Sequence, residues 1–268
     1  LASNRIDQAF ERCRAENRRA LIAYLTAGDP SPDRTVELVL ALERGGADIL
    51  ELGAPFSDPI ADGPVIQRAS DRALRAGTTM QRIFELVAEI RRQSEIPIVF
   101  FSYLNPIMRY GYAEFAKRVA ESGGDGALVT DLNIEAAGDY LAEMRARDLS
   151  TVFLGSQTTS DERLKAVAAE SSGFLYLVAA AGVTGARTTV ADTALPLVER
   201  ARRATDLPLA LGFGLSTRAH MEAIAPQVDG AIVGSAFMRV VEDNQDSPEL
   251  AQKLEALAGE LSAGLRVE

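Results

Sequence analysis

Short apolar runs alternate with longer amphipathic stretches along nearly the whole chain. Eight runs are predicted strands, at residues 21–26, 49–52, 98–103, 126–129, 151–154, 174–178, 207–211 and 231–233. Most lack polar–apolar alternation, as expected when helices cover one face and a barrel interior the other. The stretch 32–44 places Val36, Val39, Leu40 and Ala41 or Leu42 close to a 3.6-residue period. The same spacing recurs over 80–92, with Ile83, Val87 and Ile90, and over 134–147, with Ala137, Leu141 and Met144. Ser160 predicts an N-cap for a helix at 161–169, with Arg163 in place of the capping-box Glu. A further helix is predicted at residues 4–16. Eight strand–helix units predict an α/β fold, a single (β/α)8 barrel over residues 1–268. An open sheet would leave edges and usually shows a long crossover, which this pattern lacks.

Two strand-to-helix connections are long, at 53–77 after the second strand and 179–192 after the sixth. Chemistry in such barrels sits on these carboxyl-side loops. Composition narrows the classes. With 28 Lys plus Arg against 38 Asp plus Glu, the net charge is −10, which argues against a nucleic-acid partner. A small anion remains acceptable, because backbone dipoles bind phosphate whatever the net charge. Cys13 is the only cysteine, so no intramolecular disulfide forms, which fits a reducing compartment. No apolar run approaches the ~20 residues of a membrane span. The start, LASNRIDQAFERC, lacks the layout of a signal peptide. A cytoplasmic location is expected.

Glu51 lies inside the apolar run ADILELG. A lone carboxylate there is costly to bury, so its pKa is expected to rise toward the range useful for proton transfer. The competing reading is a structural Glu paired with an Arg at the barrel rim. The next segment, ELGAPFSDPIADGPVIQ, carries Asp58 and Asp62 among Pro55, Pro59 and Pro64. These prolines predict a shaped, mobile loop rather than a helix, folding Asp62 back over the mouth near Glu51. On spacing alone both aspartates also fit plain turns. Glycine-rich AGVTGAR, GFGLST and VGSAF follow the sixth, seventh and eighth strands. There, Gly214, Gly234 and Ser235 are candidate phosphate donors through backbone N–H groups, with the Ser235 hydroxyl added. Each motif alone also fits an ordinary turn.

Absent groups narrow the chemistry further. The three lysines, Lys117, Lys165 and Lys253, fall in predicted helices, so no strand-end lysine offers a Schiff base. His220 is the only histidine and reads as a surface residue, leaving no His pair for a zinc site. Any carbon–carbon cleavage must then use acid–base groups on a substrate with its own electron sink.

Taken together, LTAGDP, ELGAPFSDPIADGPVIQ, YLNPIMRYG, AGVTGAR, GFGLST and DGAIVGSAF resemble the tryptophan synthase α subunit, in order over roughly residues 5–265. The resemblance implies cleavage of indole-3-glycerol phosphate to indole and glyceraldehyde 3-phosphate, with the indole ring as electron sink. It implies that Glu51 shuttles protons at indole C3 and the glycerol hydroxyl, and that Asp62 accepts the indole N–H. Tyr176 and Thr184 would support them, Thr184 closing against Asp62. Gly185, Gly214, Gly234 and Ser235 would bind phosphate, and Tyr24, Phe101, Leu128 and Phe213 would line the indole pocket. No cofactor or metal is implied in this chain. Pyridoxal phosphate would sit in a partner β subunit, within an α2β2 complex that passes indole through a tunnel.

Three segments depart from the family's usual pattern: Thr130-Asp131-Leu132-Asn133, Gly155-Ser156-Gln157-Thr158 and Ala179-Ala180-Ala181. They fall where the family meets its β subunit, so a stand-alone lyase releasing free indole is the nearest alternative. A weakly active allosteric barrel and a sugar-phosphate isomerase are the others.

Overall fold

The computed structural model describes residues 4–179, 190–212 and 214–267. Its strands are β1 (Ala20–Thr26), β2 (Ile49–Gly53), β3 (Ile98–Ser102), β4 (Gly126–Val129), β5 (Ser150–Val152), β6 (Leu154–Ser156), β7 (Leu175–Val178), β8 (Leu209–Gly212) and β9 (Gly230–Val233). All pair in parallel, in the order β5-β4-β3-β2-β1-β9-β8-β7-β6. The fifth predicted strand, 151–154, is thus two pieces. Its first half pairs with β4 and its second with β7, and Phe153 lies at the change of partner. The two halves close the ring, giving the (β/α)8 barrel expected from the pattern.

Register sorts side chains into two sets. Ala20, Ile22, Ile49, Val99, Leu128, Val152, Phe174, Ala210 and Ile232 fill the barrel interior. Their neighbours, such as Leu21, Leu25, Leu50, Phe100, Leu177 and Leu211, meet the helices outside. The expected amino-terminal helix is α1 (Arg5–Ala15), capped by Asn4, whose side chain accepts from the Asp7 N–H. Ile6, Ala9, Phe10 and Cys13 of α1 pack into the interior cluster, with the Phe10 and Phe174 rings 5.8 Å apart. The helix thus closes the amino-terminal end of the barrel interior. Burial pushes the Cys13 thiol up to about 12, which keeps it unreactive.

Two expectations fail in instructive ways. The segment 53–77 is not one loop, because α3 (Pro64–Arg75) begins inside it. Pro64 occupies the first turn, where no N–H is required, and Val65, Ala69 and Ala73 then bury one face. The predicted helix 134–147 is a 3-10 turn (Ile134–Ala136) followed by α4 (Gly138–Arg145). Asn133 caps the turn by accepting from the Ala136 N–H, and Gly138, a poor helix former, marks the restart. By contrast α2 (Pro32–Arg44) has the bounds its periodicity predicts, and Ser160 caps α5 (Asp161–Glu170) through the Arg163 N–H.

Candidate active site

β1, β2, β3, β4, β7, β8 and β9 carry the candidate residues toward the carboxyl end of the barrel. Glu51 sits in β2 between Tyr24 of β1 and Val99 of β3 and points inward, completely buried. Neither carboxylate oxygen has a hydrogen-bond partner. No ion pair with an Arg is found for it among the described residues, so the reading of Glu51 as a rim salt bridge does not hold. Loss of hydration alone lifts its pKa to about 8. This carboxyl group therefore holds a proton at neutral pH.

Asp62 hangs from the loop between β2 and α3. The Tyr103 hydroxyl donates to its Oδ2 at 3.0 Å and accepts from the Ala61 N–H, also at 3.0 Å. Burial raises the Asp62 pKa to about 6, while the Tyr103 hydrogen bond holds it down. Tyr103 follows β3 and stacks against Phe56, ring centroids 5.2 Å apart. It lay inside the YLNPIMRYG motif, but nothing in the sequence tied it to Asp62. Asp58 behaves as the turn reading expects: exposed, it accepts from the Ser57 hydroxyl at 2.6 Å and is remote from the interior.

Tyr24 of β1 and Tyr176 of β7 lie within electrostatic reach of one another. Burial holds both phenols well above their ordinary pKa, and the Glu51 and Asp62 carboxyls raise each further. Both tyrosines thus lie within electrostatic reach of both carboxyls. The Tyr24 hydroxyl lies 3.2 Å from the Thr26 hydroxyl, and its ring meets Phe101 edge-on at 5.1 Å. Two glycines make room. A Cβ at Gly53 would overlap the Tyr24 hydroxyl, and one at Gly212 the Tyr176 hydroxyl. Sequence reasoning passed over both, since the need for Gly arises from a neighbouring strand.

The model of the family described as tryptophan synthase alpha chain matches residues 10–266. The chain belongs to the tryptophan synthase alpha chain family. A tryptophan synthase alpha chain from Solibacter usitatus (strain Ellin6076) is 50% identical over 260 residues, 97% of each chain. A chain in a structure of Mycobacterium tuberculosis tryptophan synthase superposes with a TM-score of 0.90 at 38% identity, covering 99% of this chain and 100% of that one. Tryptophan synthase subunit alpha from Legionella pneumophila str. Paris gives 0.90 at 35% identity, covering 98% and 99%. As a tryptophan synthase alpha chain, the protein is a carbon–carbon lyase of tryptophan biosynthesis that cleaves indole-3-glycerol phosphate. The family implies a β-subunit partner.

For the other residues expected of an alpha chain, Leu128 lies beside Phe101 in register and is fully buried in the interior cluster. Gly214 follows β8 with φ +76°, a left-handed conformation suited to glycine. Gly234 is the N-cap of α6 (Ser235–Asp243), so Ser235 opens a helix whose dipole favours an anion. Since β8 pairs with β9, these two glycines leave adjacent strands. Thr184, Gly185 and Phe213 lie outside the described residues. Among the described residues, no group of three or more His, Cys, Asp and Glu is arranged to hold a metal ion.

The departures from the family pattern have local partners. Asp131 accepts from the Leu104 N–H at 2.7 Å, and Ser156 interacts with the hydroxyls of Thr158 and Thr159 at 3.0 and 3.1 Å. Hydroxyl bonds thus shape this turn. Of the third departure only Ala179 is described.

Proposed function

We propose that Glu51 and Asp62 perform the cleavage as an acid–base retro-aldol reaction. The observation that carries this reading is the buried, unpartnered Glu51 carboxyl at the mouth of the barrel. Protonated Glu51 donates to indole C3, and the Asp62 carboxylate accepts the indole N–H and stabilises the resulting cation. The bond from C3 to the glycerol side chain then breaks, its electron pair returning to the ring. The side-chain hydroxyl becomes the aldehyde of glyceraldehyde 3-phosphate, and its proton passes to the Glu51 carboxylate. Glu51 ends protonated, so the cycle closes with no external acid. Tyr24, Phe101 and Leu128 would border the indole, Tyr176 would stand beside the reacting carbons, and Gly214, Gly234 and Ser235 would hold the phosphate.

The chain is proposed to work as one barrel domain in the cytoplasm, within an α2β2 complex whose β subunit alone holds pyridoxal phosphate. Two large apolar side chains near the mouth support a docking face there: Ile60 on the Asp62 loop is 85% exposed, and Met108, beyond β3, is 59% exposed. No helix among the described residues is long and apolar enough to cross a membrane.

The test is turnover of indole-3-glycerol phosphate by the purified chain, titrated with a tryptophan synthase β subunit. Slow unaided cleavage, rising by tenfold or more to saturation, is expected. Full activity without the β subunit would instead make this a stand-alone lyase, and no cleavage in either case would overturn the reading.

A further inference from the structure

A network of charged side chains on the outer side of the mouth joins three consecutive barrel units. Arg72 of α3 forms a two-pronged pair with Asp29, both bonds 2.8 Å, and its Nη1 donates to Glu242 Oε1 at 2.9 Å. Arg68, one turn earlier, forms a second two-pronged pair with Glu242 at 2.6 and 2.8 Å. Asp29 follows β1 and is fully buried, while Glu242 lies near the end of α6. Since β2, β1 and β9 are neighbours in the ring, the network spans the connections leaving all three.

These connections carry opposite ends of the proposed site. Asp62 lies two residues before α3, and its carbonyl accepts from Gln67 of that helix at 2.9 Å. Gly234 and Ser235 open α6. Among the described residues, every ion pair between α3 and α6 runs through Glu242. A substrate held by its phosphate at one end and its indole nitrogen at the other fixes the required spacing. A misplacement of about 1 Å between such anchors can cost on the order of 10²-fold in rate.

Building on the function proposed above, we infer that Glu242 is a positioning residue that keeps the phosphate-binding end of α6 in register with the loop bearing Asp62. It touches no substrate. Unlike Arg72, it can be neutralised without stranding the buried Asp29 carboxylate, so Glu242→Gln separates positioning from folding. The control is Glu255→Gln, which removes a surface pair to Arg44 (2.9 Å) outside this network.

Both variants and the parent chain are assayed for indole-3-glycerol phosphate cleavage, inhibition by inorganic phosphate, and amide hydrogen exchange over residues 61–66. For Glu242→Gln the expected result is a fall in kcat of about tenfold, with KM and phosphate inhibition changed less than threefold. Exchange over 61–66 should be faster, and Glu255→Gln should match the parent in every readout. Unchanged kcat and exchange in Glu242→Gln would overturn the inference. So would equal losses in kcat and phosphate affinity, the mark of general destabilisation. If the parent itself fails to cleave the substrate, the functional reading fails, and the exchange comparison alone still decides whether Glu242 couples α6 to the loop.

Discussion

Glu51→Gln is expected to lower kcat for indole-3-glycerol phosphate cleavage by roughly 10²–10⁴-fold, the usual contribution of a positioned acid–base group. KM should stay within about threefold of the parent value. The substitution keeps the shape of the side chain, so the cavity beside Tyr24 and Val99 is retained. It removes only the proton that is given to indole C3 and recovered from the hydroxyl. Among the described residues no second group is placed to take over: the Tyr24 and Tyr176 phenols are held well above their ordinary pKa, and Asp62 is engaged by Tyr103. Steady-state indole release, with substrate binding measured separately, reads both quantities. Turnover within tenfold of the parent would remove Glu51 from the chemistry.

The same substitution should alter the pH dependence of stability. In the folded chain Glu51 keeps its proton up to about pH 8, whereas its ordinary value is 4.5. Between those limits the native state binds more protons than the unfolded state, so stability falls as pH rises. Below about 4.5 both states are protonated and the cost is absent; above about 8 it is fully present. At ~1.4 kcal/mol per pH unit, the whole window corresponds to a cost of about 5 kcal/mol. Asp62, raised from 3.8 to about 6, contributes in the same direction over its own narrower window. Urea unfolding should therefore find Glu51→Gln close to the parent near pH 4.5 and several kcal/mol more stable near pH 9. An identical difference at both pH values would show that Glu51 titrates normally. The site would then exact no stability cost for its function.

How much of this was legible in the sequence depends on where each constraint acts. Continuous burial along β1, all seven residues, produces the apolar run from which a barrel strand was read. Glu51 stood out because a single carboxyl interrupts such a run. The switch of strand partner at Phe153 was hidden, because residues 151–154 read as one uninterrupted run and only the change from β4 to β7 separates the two pieces. Pro64 was misread as loop-forming because its role as a helix start depends on the face that Val65, Ala69 and Ala73 bury. Tyr103 and Asp62 lie 41 positions apart, and Glu242 lies 170 from Arg72. Gly53 and Gly212 are required by tyrosines on adjacent strands. Contacts of this kind follow from register, which local pattern does not encode.

The central claim, that a buried and protonated Glu51 begins the reaction, is tested most directly by the pH dependence of kcat/KM for indole-3-glycerol phosphate. The alkaline limb is diagnostic, because the substrate phosphate itself ionises near pH 6 and obscures the acidic one, where Asp62 also titrates. In free enzyme that limb reports the essential acid. The expected profile falls above about pH 8, where Glu51 loses its proton. A profile that stays level through about pH 10, or one that already declines around the ordinary carboxyl value of 4.5, would contradict it.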